Sequence, residues 1–100
     1  MLKHIVMWTF PELADGHTRA ENMERVRAAL MALPAVIPEI RLFEVHADVG
    51  IDASASTMCL ISEFEDADAL QRYAVHPDHR AASALIARVR SDRAVIDYRV

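Results

Sequence analysis

Cysteine and glycine are scarce in this sequence, and their scarcity excludes some classes of protein. The 100 residues include one cysteine and two glycines. One thiol cannot form an internal disulfide, so a small domain built on a disulfide framework is excluded. The cysteine, Cys59, lies in the apolar run MCLI, which is typical of a buried thiol without a reactive role. A free thiol fits a reducing compartment, and we expect a cytoplasmic protein.

Positive charge is also limited. The chain has 11 Lys and Arg residues against 15 Asp and Glu, a net charge of −4, and the two signs are interspersed. Because there is no basic patch or arm, nucleic acid is not an expected partner. No apolar run approaches the roughly 20 residues of a membrane span. The apolar start is interrupted by His4 and stops at Pro11, so we expect neither a membrane partner nor a signal peptide.

Apolar residues, in contrast, are abundant. They make up 53% of the chain, which is high for a domain of this length. A single domain over residues 1–100 can bury only a small core, and association between copies is a common way to bury more. The excess of apolar residues therefore predicts a second buried surface, and a homodimer interface is the simplest candidate.

The periodicity of the apolar residues predicts an α+β domain. Thr18 and Glu21 form a capping-box pattern that begins a helix, Pro34 ends it, Asp66 can cap a second helix, and Pro77 suits the first position of a third. Residues 11–16 read as a loop. The order β-α-β-β-α(α)-β predicts a ferredoxin-like sandwich, in which helices cover one face of a four-stranded antiparallel sheet. The predicted strands are 2–10, 39–47, 57–65 and 93–99, and the first helix is 19–33.

The uncovered face of this sheet is the predicted dimer interface. Strands 2–10 and 57–65 carry apolar residues on both faces, so one apolar face is left without helices. Two such faces packed together would form a dimeric α+β barrel. We expect Met7 and Phe43 to lie on this open face.

Candidate chemical groups lie in the segment YAVHPDHRAASALIARV, from Tyr73 to Val89. If Pro77 starts a helix, His79 lies in its first turn, where the helix dipole disfavours imidazolium and keeps a general base neutral. Tyr73 would point inward and could stabilise an oxyanion. Two alternatives are open: His76 caps the helix while His79 bonds a backbone carbonyl and Tyr73 fills the core, or the HxxH pair binds a metal.

Four segments of the sequence resemble one known family. KHIVMWTF, LISEFED, YAVHPDH and AVIDY are similar to the stress-responsive A/B barrel (Dabb) domain over about residues 2–98. The resemblance implies a ferredoxin-like fold that dimerises through its sheets. In a plant polyketide cyclase of this family, the pocket residues match His4, Tyr73 and His79, which implies catalytic roles for these three. It also implies ligand contacts from Val6, Trp8 and His76.

These observations favour one function and leave a second open. The favoured function is a homodimer that binds or transforms a small apolar or carbonyl compound by His/Tyr acid–base chemistry, as a cyclase, lyase or isomerase without a cofactor or metal. The alternative is a non-enzymatic stress-responsive or structural dimer with architectural histidines. Cofactor-free monooxygenases and lactone isomerases use dimeric α+β barrels too, but their signatures are not evident in this sequence.

Overall fold

Four strands form the sheet on which the molecule is built. The computed structural model describes residues 1–52 and 55–100. The sheet order is β4-β5-β1-β6, with every neighbouring pair antiparallel. The elements in chain order are β1 (Leu2–Thr9), β2 (Leu13–Ala14), β3 (His17–Thr18), α1 (Arg19–Met31), β4 (Leu42–Ala47), β5 (Thr57–Phe64), α2 (Ala67–Val75), α3 (Pro77–Val89) and β6 (Arg93–Arg99). The predicted four-stranded antiparallel sheet and its β-α-β-β-α(α)-β order are confirmed.

The first helix begins at the predicted capping box. The Thr18 hydroxyl accepts a hydrogen bond from the Glu21 backbone N–H at 3.2 Å, and the Glu21 carboxylate accepts one from the Thr18 N–H at 2.8 Å. These bonds satisfy backbone donors that have no partner inside the helix. The segment before it is more ordered than the predicted loop, because β2 and β3 pair as a short hairpin across Asp15 and Gly16.

One histidine joins the second and third helices. Asp66 caps α2 by accepting a hydrogen bond from the Ala69 N–H at 2.8 Å. His76 ends α2 and is also the N-cap of α3, where its Nδ1 accepts a hydrogen bond from the Asp78 N–H at 3.1 Å. Pro77 follows as the first residue of α3, as predicted.

Replacing His76 with alanine should lower the free energy of unfolding by about 1 kcal/mol, because the capped Asp78 N–H loses its acceptor. Urea denaturation of the two proteins measures the difference. His76→Asn is the matched control, since its side-chain oxygen can accept the same bond, and it should recover most of the stability. Equal losses in the two variants would contradict the capping role.

Alternation along the central strands divides the sheet into two faces. On the face toward the helices, Val6, Leu60 and Phe64 are buried, and they pack with Val26 and Ile86. The burial of one row from each central strand fixes which side chains can reach a site beneath the helices.

None of the helices in the described part of the chain is long and apolar enough to cross a membrane.

The other face of the sheet is apolar and open. Met7 is 49% exposed and Ile96 is 59% exposed, although both lie in regular strands. The strand register places Met7 opposite Cys59, and Ile5 between Ile61 and Ile96. This set is called the outer face below, and its central side chains are Ile5, Met7, Cys59, Ile61 and Ile96.

Phe43 does not lie on the outer face, so that prediction was wrong. In the register of β4 and β5, Phe43 pairs with Ser62, which is buried toward the helices. The Phe43 ring lies 6.1 Å from the Tyr73 ring, measured between centroids. The sequence pattern separated the two rows of this strand correctly. It did not identify the inner row, because each row mixes apolar with polar residues.

Candidate functional site

A cavity lies between the sheet and helices α2 and α3. Its volume is about 490 Å³. About half of its wall is apolar and about half is polar, so the cavity suits a small molecule that has both an apolar and a polar part. The lining residues are His4, Val6, Trp8, Leu30, Leu60, Leu70, Gln71, Tyr73, Ala74, His79, Ser83, Ile86, Ala87, Arg90 and Arg93.

His79 lies in the first turn of α3 and its ring has a defined orientation. Its Nδ1 lies 3.0 Å from the Ala74 carbonyl oxygen. A carbonyl can only accept, so Nδ1 carries the hydrogen and donates it. In the neutral ring the lone pair is then on Nε2. The backbone bond predicted by the architectural alternative is present, and it leaves Nε2 able to accept a proton.

The surroundings of His79 keep its ring neutral. Burial lowers the pKa of His79 below its ordinary value of 6.5. The hydrogen bond to Ala74 opposes this shift, whereas the nearby His4, Arg93 and His76 side chains lower the pKa further. An uncharged ring at neutral pH is the form that can act as a general base.

Tyr73 supplies a hydroxyl group next to this base. The side chain is 1% exposed, and its ring lies 4.3 Å from the His79 ring between centroids. Its hydroxyl is buried and has no hydrogen-bond partner among the residues described. Such a group costs about 1–3 kcal/mol when it is left unpaired. Burial also raises the pKa of Tyr73 well above its ordinary value, so the phenol stays protonated and can donate.

His4 approaches the same rings from β1. Its Nδ1 lies 2.5 Å from Asp97 Oδ1 on β6, the strand that pairs with β1 at this position. A carboxylate in this place orients the imidazole by accepting the Nδ1 hydrogen. The His4 and Tyr73 rings meet edge to face with centroids 6.5 Å apart. Three rings from β1, α2 and α3 therefore form one cluster.

The structure brings together five of the six residues predicted for the site. His4, Val6, Trp8, Tyr73 and His79 all line the cavity. His76, the sixth, is not among the lining residues, and its Nδ1 is used for the cap of α3. The helix junction turns the His76 ring to the backbone of the next turn, and a ligand contact from this residue stays a prediction.

Sequence reasoning missed Asp97, Arg90 and Arg93. Asp97 and Arg93 belong to the same alternating row of β6, which faces the helices. The alternating pattern can be recognised in the segment RAVIDYR. The pairing of Asp97 with His4, in contrast, depends on the register between β1 and β6, which the sequence alone does not determine. Arg90 follows the last turn of α3 and looks like an ordinary surface residue in the sequence.

The arrangement does not form a cluster of metal ligands. Within residues 1–52 and 55–100, no group of three or more His, Cys, Asp or Glu side chains is close enough to hold a metal ion. Of the predicted HxxH pair, the two Nδ1 atoms are occupied by backbone partners.

The pKa of His79 gives a direct test of its burial. The ring should titrate below pH 6.5, measured from its C–H resonances by NMR and assigned with His79→Gln. Because its pKa is lower in the folded than in the unfolded chain, the folded state binds fewer protons as the pH falls below 6.5. Stability should therefore decrease with falling pH until the folded pKa is passed. Titration as an exposed imidazole, unaffected by Tyr73→Phe, would contradict a shared pocket.

The fold and the cavity define a ferredoxin-like α+β domain with a histidine–tyrosine pocket between sheet and helices. The chain belongs to the stress responsive A/B barrel domain (Dabb) family, whose sequence model matches residues 2–100. It is 36% identical over 88 residues to an uncharacterized protein of Streptomyces coelicolor, a match that covers 85% of this chain and 86% of that protein.

Two of the similar solved structures match this chain over almost its whole length. One is a dimeric protein of unknown function and ferredoxin-like fold from Bacteroides fragilis, 32% identical with a TM-score of 0.86, covering 99% of this chain and 95% of that one. The other is a dimeric ferredoxin-like protein of unknown function from Thermobifida fusca, 32% identical with a TM-score of 0.84, covering 99% and 90%. The predicted family and fold class are confirmed.

Enzymes also occur among proteins of this fold. A hydroxynitrile lyase from Passiflora edulis is 17% identical with a TM-score of 0.78, covering 97% of this chain and 90% of that one. An antibiotic biosynthesis monooxygenase is 17% identical with a TM-score of 0.72, covering 100% and 98%. At such identities the likeness establishes the shared fold and no shared activity.

Proposed function

We propose that this protein binds a small, largely apolar carbonyl compound in the cavity and moves a proton on it with His79 as the general base. The observation that carries the proposal is the pairing of His79 with Tyr73. A neutral imidazole with its lone pair on Nε2 lies beside a buried hydroxyl that has no partner in the described chain. A folded core ordinarily pairs such a hydroxyl, whereas a ligand site leaves it available.

The chemistry follows from these two groups. Nε2 of His79 takes a proton from the carbon next to the carbonyl, and negative charge develops on the carbonyl oxygen. The Tyr73 hydroxyl donates a hydrogen bond to that oxygen and stabilises the enolate. His4, whose Nδ1 is held by Asp97, lines the same cavity and helps to position the compound beside these two groups. Return of the proton to another carbon gives an isomerase, and attack of the enolate on a second carbonyl gives a cyclase or an aldol-type lyase.

The homodimer is part of the same proposal. The outer face is apolar and uncovered in one chain, and the similar structures from Bacteroides fragilis and Thermobifida fusca are described as dimeric. A second copy packed on this face would bury Met7 and Ile96, and two sheets would then lie face to face. We place the dimer in the cytoplasm, since its single cysteine is a free thiol on this face.

The alternative, a dimer without enzymatic activity, is favoured by the backbone bonds of His76 and His79, which are sufficient to explain both rings as structural. It does not explain the unpaired Tyr73 hydroxyl. The two functions differ in whether a small molecule can reach the base, so the deciding experiment must report on proton abstraction within the cavity.

5-Nitrobenzisoxazole is a suitable probe for this experiment. A base removes its ring C–H proton, the N–O bond breaks, and a coloured cyanophenolate forms. An accessible His79 takes that proton, and Tyr73 can donate to the developing phenolate oxygen. We expect the protein to accelerate this reaction above the rate with free imidazole at equal concentration, measured by absorbance. No acceleration would contradict the proposed base and favour the structural dimer.

A further inference from the structure

We propose that Arg90 and Arg93 bind an anionic head group, so that the ligand of this cavity is an apolar compound that carries a carboxylate. This inference deepens the proposed function and rests on it only for the statement that the cavity holds a ligand. Both arginines line the cavity. No Asp or Glu is found among the lining residues of the described chain, so the cavity wall carries two positive charges and no negative one.

Within the described residues, neither of these two arginines has a carboxylate partner. The net charge is −4, and acidic residues outnumber basic ones. Five other arginines form ion pairs with carboxylates, and they are Arg25, Arg27, Arg41, Arg72 and Arg88. Within the described residues, the Arg90 guanidinium donates only to the Ser91 carbonyl, at 3.3 Å, and the Arg93 side chain has neither an ion pair nor a hydrogen bond. Guanidinium groups free of protein carboxylates are available to an anion from solution.

The turn between the two arginines is held firmly on the sheet. The Ser91 N–H donates to the Thr9 carbonyl at 2.8 Å, and the Asp92 N–H donates to the Thr9 hydroxyl at 3.1 Å. The Asp92 carboxylate in turn accepts a hydrogen bond from that hydroxyl at 3.3 Å. The carboxylate that lies between the arginines in sequence is thus engaged by Thr9, and the backbone that carries both guanidinium groups is fixed before any ligand binds.

The position of Arg93 connects the head group to the base. Arg93 pairs with Trp8 in the strand register, and its row faces the helices. Its charge is close enough to His79 to lower the pKa of that ring. A carboxylate held by the arginines would therefore lie at one side of the cavity, with the apolar part of the compound against Trp8, Leu60 and Leu70 and within reach of His79 and Tyr73.

A series of eight-carbon compounds tests the inference, since they differ only in the head group. Octanoate, octan-1-ol and octylammonium are titrated into the protein, and the C–H resonances of the His79 ring are followed by NMR. We expect octanoate to bind about tenfold or more tightly than octan-1-ol, because a charge-assisted bond to Arg is stronger than a neutral one. Octylammonium should bind most weakly. In Arg93→Gln and in Arg90→Gln, the preference for octanoate should decrease while the affinity for octan-1-ol stays unchanged.

Arg99→Gln is the matched control. Arg99 lies in the same row of β6 as Arg93, has no ion pair within the described chain, and does not line the cavity. It should keep the full preference for octanoate, whereas an equal loss in Arg99→Gln and Arg93→Gln would point to general surface charge and overturn the inference. Equal affinities for octanoate and octan-1-ol would also overturn the head-group inference. The role of His79 as general base would then still be tested separately, by turnover of 5-nitrobenzisoxazole. If none of the three compounds moves the His79 resonances, the head-group site is wrong.

Discussion

Met7→Asp should convert the proposed dimer into monomers. Sedimentation equilibrium at micromolar concentration should give the mass of two chains for the unchanged protein and of one chain for the variant. Met7 lies at the centre of the outer face, opposite Cys59 on β5 and Ala94 on β6. In a symmetric interface every substitution occurs twice, so each dimer would bury two carboxylates without partners. The expected cost is several kcal/mol per dimer, enough to weaken association by more than a hundredfold.

A second methionine supplies the control for this experiment. Met31 is exposed to almost the same extent as Met7, 44% against 49%, but it lies at the end of α1, away from the outer face. Met31→Asp should remain dimeric. Because Met7 is exposed in a single chain, its substitution should leave the fold of the monomer intact, which circular dichroism can verify. A dimeric Met7→Asp protein would show that the subunits do not associate through this face.

His79→Ala should abolish most of the proton transfer while the protein stays folded and keeps its oligomeric state. Removal of a general base costs about 10²–10⁴ in rate, and turnover of 5-nitrobenzisoxazole measures the loss. The ring is half buried and its Nδ1 bond to Ala74 is also lost, so a modest decrease in stability is expected in addition. His79→Gln keeps a polar group of similar size and removes the base, and it should lose activity to the same extent.

Two further variants separate catalysis from structure at this site. His76→Ala removes a ring of the same type three residues away, at the cap of α3, and it should lower stability with little change in rate. Tyr73→Phe keeps the buried ring and removes the unpaired hydroxyl, so it should lose rate without losing stability. If His79→Ala retained full activity, the base would have to be assigned to another residue, with His4 the first candidate.

The sequence contained most of the information on helix starts and strand order. Thr18 with Glu21, Asp66 and Pro77 act within a few residues of their own position, so their effects can be read locally. The same is true of His79, whose place in the first turn of a helix follows directly from Pro77. The row of His4, Val6 and Trp8 was also readable, because side chains alternate strictly along a strand.

What the sequence could not provide is contact between distant segments. His4 and Asp97 are 93 positions apart, and their bond depends on the register between β1 and β6. Phe43 was placed on the wrong face because alternation defines two rows without saying which is buried. Arg93 could not be recognised as a cavity residue from the sequence, because a charged residue in the last strand has the pattern of an ordinary surface residue. Only the structure shows that it lines the cavity beneath α3.

Strand β6 is one edge of the sheet, and all seven of its residues are exposed in the single chain. The helix side and the β6 side of the cavity therefore differ in how freely their residues can be substituted. Tyr73 on the helix side is fully buried, and replacing its ring with a smaller side chain would leave a cavity in the core. Arg93 on the edge strand can be exchanged at little cost in stability, since surface substitutions without specific partners rarely matter by more than about 0.5 kcal/mol. Relatives with the same histidine and tyrosine could thus acquire new ligand preferences through changes in one edge strand, which makes β6 the first segment to randomise in an engineering experiment.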